Sequence, residues 1–128
     1  MNCQSIEQEI QAKGLTAPRV TPADIEANIA YVRYFTAQEG AVGAAQAIGL
    51  DAVADPNLEL LTFCVLVLRN GFTVTGESAC ASPENFDAEL GRKIARQNAV
   101  AKIWPLMGYA LKQDLFERRD VGACGAQI

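Results

Sequence analysis

Residues 60–80 read L-L-T-F-C-V-L-V-L-R-N-G-F-T-V-T-G-E-S-A-C, and the fold turns on them. Two runs rich in β-branched residues flank Asn70-Gly71, a favoured hairpin turn. With those two residues as the loop, Arg69 pairs with Phe72 and Val67 with Val74. One face then carries Phe63, Val65, Val67, Phe72 and Val74. The other carries Cys64, Leu66, Leu68, Thr73, Thr75 and Glu77. A bulge at the turn would shift this register. The first strand is apolar on both faces, so it is expected to be the more buried partner. Cys64 and Cys80 point to opposite faces in this register, which argues against a disulfide between them.

C-terminal to the hairpin, Ser82-Pro83-Glu84 reads as a helix start, with Ser82 as the N-cap and Pro83 at the first position. Glu84, Asp87 and Glu89 suit the positive end of that helix. Phe86, Leu90, Ile94, Ala101, Trp104, Leu111 and Leu115 form the stripe expected to pack on the hairpin. Pro105 should kink the helix near Trp104. The Gly- and Ala-rich tail, Val121 to Ile128, is expected to fray.

On the N-terminal side, Gln4 to Lys13 suits a short helix, with Ile6 and Ile10 one turn apart and Gly14 as its stop. Thr21-Pro22-Ala23-Asp24 is a firmer start. Ile25, Ile29 and Val32 extend that second helix to about Phe35. Residues 36–57 are rich in Ala and Gly, with at most a helical turn or two over Ala41 to Ile48. They read as a surface excursion, or else as a lid or an oligomer contact. The expected fold is α+β in a single domain over residues 1–128: an arm at 1–20, a helix at 21–35, the excursion at 36–58, and hairpin plus long helix at 59–120.

Composition narrows the function. Half of the 128 residues are apolar and a fifth are charged, a globular balance. The net charge of −4 argues against binding duplex nucleic acid, where neutralising phosphates supplies most of the affinity. The first twenty residues carry Glu7 and Glu9 and lack the order of a secretory signal. The longest apolar run, Phe63 to Leu68, is too short to span a bilayer. The expected location is the cytoplasm. Cys3, Cys64, Cys80 and Cys124 form no C-x-x-C pair, and histidine is absent, so the usual zinc spacings are missing. They read as reduced thiols. The absence of histidine also sets aside Ser-His-Asp and Cys-His catalysis. Phosphate-loop and dinucleotide-binding signatures are absent too. The expectation is a binder rather than an enzyme, with no cofactor and no metal.

Three groups of residues could hold a ligand. Arg92 and Arg96 lie one turn apart on the long helix, with Asn85 expected on the same face. Like charges at that spacing repel, and an anion between them would reverse the sign. The alternative is a solvated face with an ordinary Glu89–Lys93 pair. Arg69 and Phe72 flank the turn and could sandwich a nucleobase; alternatively Phe72 is the last core residue of the hairpin. Lys102, Lys112, Arg118 and Arg119 follow along the helix, where cations complement its C-terminal dipole without any ligand. Trp104, Tyr109 and Phe116 read as core or interface.

Residues 61–87, L-T-F-C-V-L-V-L-R-N-G-F-T-V-T-G-E-S-A-C-A-S-P-E-N-F-D, and 91–112, G-R-K-I-A-R-Q-N-A-V-A-K-I-W-P-L-M-G-Y-A-L-K, resemble a family of small accessory proteins of tailed bacteriophages and prophages. V-T-P-A-D-I-E-A-N-I at 20–29 is similar to that family as well, whereas 37–56 lie outside the resemblance. It extends to Thoeris anti-defence proteins, oligomeric sponges that trap cyclic ADP-ribose-type signals without destroying them; related sponges take cyclic oligonucleotides. The resemblance implies a protein of the host cytoplasm that captures a small cyclic nucleotide-type ligand as a homo-oligomer, with the site between subunits. It points to Phe72, Thr75, Asn85, Arg92, Arg96, Lys102 and Arg118 as ligand-binding residues. The Lys at 102 departs from the Arg that a stacking role prefers. A different class of function, a phage module that binds a host protein through the long helix, fits the same sequence.

Overall fold

Thr21 accepts a hydrogen bond from the Asp24 N–H at 3.1 Å, and the Asp24 carboxylate accepts one from the Thr21 N–H at 2.9 Å. This reciprocal cap starts a helix where the sequence predicts one. In the computed structural model the helix is short, and the chain leaves it at Asn28 for a strand. The structure describes the backbone of residues 3–126 and the side chains of 4–119. Cys3 and Cys124 lie outside the described side chains. The elements are α1 (Cys3–Ala12), α2 (Pro22–Ala27), β1 (Ile29–Thr36), α3 (Ala37–Ala47), α4 (Pro56–Glu59), β2 (Leu61–Leu68), β3 (Thr73–Ala79) and α5 (Ala88–Ala126). A 3-10 turn, Pro83–Asn85, precedes α5. The fold class is α+β. The chain divides into two units: Ile29–Lys102, and the segments before and after it.

In the first unit β2 is the central strand of an antiparallel sheet ordered β1-β2-β3. Its apolar residues on both faces suit that place. The strand β1 corrects the expectation of a helix to Phe35. Ile25, Ile29 and Val32 fit a helical phase, but Ile29 to Thr36 is a β-branched and aromatic run, and it finds a free edge on β2.

The hairpin register also differs from the two-residue loop. The Gly71 N–H donates to the Leu68 carbonyl at 2.9 Å, and the Leu68 N–H donates to the Phe72 carbonyl at 2.8 Å. Gly71 has φ +89°, a conformation that L side chains avoid. Arg69, Asn70 and Gly71 therefore form a three-residue loop with a glycine bulge. The ladder slips by one, so Leu66 faces Val74 and Val65 faces Thr75. Val74 joins Cys64, Leu66 and Leu68 in the core, and Phe72 is 55% exposed. Cys64 and Cys80 now share a face, yet Cys64 stands opposite Gly76 while Cys80 hydrogen-bonds at Leu60. Both are free thiols. Burial pushes the Cys64 thiol above its ordinary range, an effect the nearby Arg96 charge partly offsets.

The long helix starts later than Ser82. Ser82 makes no side-chain cap, and Asp87 accepts from the Leu90 N–H at 3.1 Å instead. The stripe it buries is Gly91, Ala95 and Ala99, not Leu90 and Ile94, which are 54% and 38% exposed. A Cβ built on Gly76 would strike the Ala95 carbonyl oxygen and the Ala99 nitrogen, and one on Gly91 would lie 3.2 Å from Thr62 Oγ1. Helix and sheet meet backbone to backbone, a contact that only small residues allow.

The Ala- and Gly-rich stretch is ordered as α3. Thr36 accepts from the Glu39 N–H at 3.1 Å, and the Glu39 carboxylate accepts from the Thr36 N–H at 3.0 Å. This second capping box offsets the poor propensity of Gly40 and Gly43. Gln38 ties α3 to the next segment by accepting from the Asp55 N–H at 3.1 Å.

In the second unit α1 forms as expected, with Gly14 (φ +67°) just beyond it, and α2 starts at its expected cap but ends at Ala27. The second half of α5 continues through Pro105, and the helix backbone reaches Ala126 across most of the tail expected to fray. Arg19 forks onto Glu7, with one contact at 2.7 Å and a second, shorter one. Ile6, Ile10, Val20, Pro22 and Trp104 wall a pocket beside this pair. The hydrogen bonds from Arg19 hold the Glu7 carboxyl below its ordinary 4.5. A lowered carboxyl pKa contributes stability that is complete above the unfolded value and is lost as pH falls through the folded one. Glu7→Gln should therefore flatten the loss of stability below pH 4.5, read from thermal melts across an acid series. A melt series unchanged by the substitution would remove the ion pair from the account.

Candidate functional site

β1 passes into α3 at Thr36, and the start of α5 comes alongside. The space between them is a cavity of about 150 Å³. Tyr34 and Phe35 line it from β1, Thr36 and Glu39 from the capping box, Thr62 from β2, and Phe86, Ala88 and Arg92 from the approach to α5 and its first turns. Thr36 and Glu39 are fixed by their own reciprocal hydrogen bonds. Thr62, 3% exposed, is held under Gly91. Phe35 is braced by Phe63, with ring centroids 5.6 Å apart and planes tilted by 33°.

The arrangement offers one guanidinium, aromatic rings and three hydroxyls, those of Tyr34, Thr36 and Thr62. Among the described residues the Glu39 carboxylate is the only acid on the wall, and one of its oxygens caps α3. Arginine forks suit phosphate or carboxylate, and rings suit a flat partner such as a base. The set therefore favours binding an anion with an aromatic part over acid–base work. Among the described residues, no group of three metal-ligating side chains converges.

Of the residues expected from sequence, Arg92 lines this cavity and the others lie elsewhere. Phe72 stands exposed at the hairpin, its N–H donating to Asn70 Oδ1 at 2.9 Å. Thr75 is exposed on the face of β3 turned away from α5. Asn85 sits in the 3-10 turn, because α5 starts three residues later, and so does not share a helix face with Arg92. Arg96 is half-buried one turn beyond Arg92, close enough for its charge to act on Cys64. Lys102 is exposed. Arg118 belongs to the other unit and pairs with Asp114 at 3.1 Å. Tyr34, Phe35, Thr36, Glu39, Thr62 and Phe86 were not among the expected residues. The T-A-Q-E spacing at 36–39 is the signal that could have marked this corner.

A family model described as the phage protein (N4 Gp49/phage Sf6 gene 66) family matches residues 20–115. The chain belongs to that phage protein family. The matched stretch takes in every residue of the cavity wall and also residues 37–56, which the resemblance read from sequence left out. No curated protein and no solved structure matches the chain. Among the described residues, no helix of this phage protein is long and apolar enough to cross a membrane.

Proposed function

We propose that this phage protein captures a small nucleotide-type anion, of the cyclic ADP-ribose or cyclic oligonucleotide class, and holds it without cleaving it. The observation that carries the reading is the cavity in which Arg92 stands with Tyr34, Phe35 and Phe86 and the hydroxyls of Thr36 and Thr62. The guanidinium takes the phosphate, a ring takes the base, and the hydroxyls take ribose. At about 150 Å³ the cavity is smaller than the roughly 300–1,000 Å³ of sites that enclose a drug-sized ligand. It suits one part of such a ligand, and a second copy of the chain holds the rest. Sequestration places the protein in the host cytoplasm and requires no catalytic group, cofactor or metal. Nanomolar capture corresponds to about 12 kcal/mol, which favours a site completed by a partner.

The test is calorimetry with cyclic ADP-ribose isomers and cyclic dinucleotides, followed by heat release and chromatography of the ligand. Uptake with intact recovery is expected. Arg92→Ala should weaken uptake about tenfold to a hundredfold, as loss of a charged hydrogen bond does, while the melting temperature stays put. Recovery of an altered ligand would make the protein an enzyme and overturn sequestration. A second reading, a module that binds a host protein through α5, is favoured by the exposure of Leu106, Tyr109 and Phe116 on that helix. Absence of uptake for every nucleotide tested would favour it.

A further inference from the structure

The helix α5 covers one face of the sheet; on the opposite face the margins are exposed and the centre is half-buried, with Phe35 packed on Phe63 at the end nearer α3. The central strip of that face is apolar: Phe63, Val65 and Val67 of β2. On the β1 side Tyr31 is 49% exposed, and Arg33 lies over its ring at 4.7 Å while donating to the Val32 carbonyl at 3.0 Å. On the β3 side stand Thr75 and Glu77, both exposed. Arg33 is opposite Val65, which is opposite Thr75; Phe63, in the next row, is opposite Glu77. The face therefore has a cation along one margin, an anion along the other, and an apolar strip between. Among the described residues, neither Arg33 nor Glu77 forms an ion pair within the chain.

We propose that this face pairs with the same face of a second copy of the chain, about a twofold axis running along β2. Such a rotation lays β1 of one copy over β3 of the other, because it exchanges the two margins and leaves the central strip on itself. Arg33 then meets the Thr75–Glu77 margin of the second copy, twice over, while valines pack on valines. A twofold axis across the strands would instead lay Arg33 on Arg33, and like charges so placed repel. The charge pattern thus selects one self-complementary arrangement. Stacking on Tyr31 already fixes Arg33, so little side-chain freedom is lost on docking. The face is three strands wide, small beside permanent interfaces, so the dimer is expected in the micromolar range. Arg92 belongs to α5, on the other side of the sheet, and plays no part in this contact; of its cavity wall only Phe35, packed on Phe63, reaches this face.

Sedimentation equilibrium of the full chain over a concentration series tests it. The wild type should dimerise, and Arg33→Glu or Glu77→Arg alone should raise the dissociation constant about tenfold or more. The double variant, Arg33→Glu with Glu77→Arg, should return it to near the wild-type value, since the two margins are only exchanged. Circular dichroism of all three variants should match the wild type, both side chains being exposed. A wild type that stays monomeric, a dimer indifferent to either single change, or a double variant no tighter than the singles would overturn the proposal. Arg92→Ala should leave this dimer unchanged, which separates the pairing of the sheets from ligand uptake.

Discussion

Gly76→Val should leave the chain unable to hold its fold at room temperature. The first atom of any side chain at this position meets the Ala95 carbonyl oxygen and the Ala99 nitrogen, which are main-chain atoms of a helix. Side chains can rotate out of the way; a hydrogen-bonded helix backbone can only move as a body. Moving it would part Ala95 and Ala99, both fully buried, from the sheet. Gly76→Ala should cost about 3 kcal/mol, the upper end for overpacking, and the valine more than about 4 kcal/mol. Urea unfolding followed by circular dichroism measures both. Gly43 in α3 serves as the control, because nothing lies within 4 Å of a Cβ placed there. Gly43→Ala should be neutral or stabilising by up to about 1 kcal/mol. A Gly76→Ala protein as stable as the wild type would mean that helix and sheet do not touch where described.

The second large effect is expected in the core of the hairpin. Leu66 is fully buried, and its cross-strand neighbour Val74 is 6% exposed. Leu66→Ala should cost about 2–5 kcal/mol, as large-to-small changes in packed cores do. Val74→Ala should cost somewhat less, and the two together should fall short of their sum by about 0.5 kcal/mol or more, since each cavity relaxes into the other. Thr75→Ala, on the opposite face, should cost little and add independently to Leu66→Ala. The comparison distinguishes the two registers directly. With a two-residue loop, Val74 would stand apart from Leu66, and Thr75 would share its face. Full additivity for Leu66 with Val74, and coupling for Leu66 with Thr75, would restore that register.

The error at the turn shows what local chemistry can and cannot specify. Asn70-Gly71 marks a hairpin correctly, but the same pair serves a two-residue loop or the end of a three-residue one. The choice was made by burial: only the bulged register places Val74 on the side covered by α5. At Ile29–Thr36 the apolar spacing fits a helix, and the propensity of the residues fits a strand. Pairing with β2 along seven positions decided between them. Thr21 and Asp24 were legible because a cap is complete within four residues. The Thr36–Glu39 cap was equally local and was obscured by the glycines that follow it.

The site was harder to read for a related reason. Arg92 stood out with Arg96 as two cations one turn apart, a pattern contained within one helix. Its companions Tyr34, Phe35 and Thr36 could not, because their meeting with Arg92 depends on β1 being a strand. Phe72, Thr75 and Asn85 were expected from the family resemblance, which carries no register; the bulged hairpin leaves Phe72 and Thr75 exposed, and the later start of α5 takes Asn85 off the helix face of Arg92.

The contact of Gly76 with Ala95 and Ala99 works like a notch cut for a bar. A helix seated on side chains can slip or roll by a fraction of a turn as those chains change rotamer. One seated on bare main chain cannot, because the next residues to arrive in the notch would be arginine, asparagine or isoleucine. The bearing of Arg92 toward its cavity is therefore set by peptide geometry, and a ligand arriving there finds a guanidinium anchored to a mount that does not give.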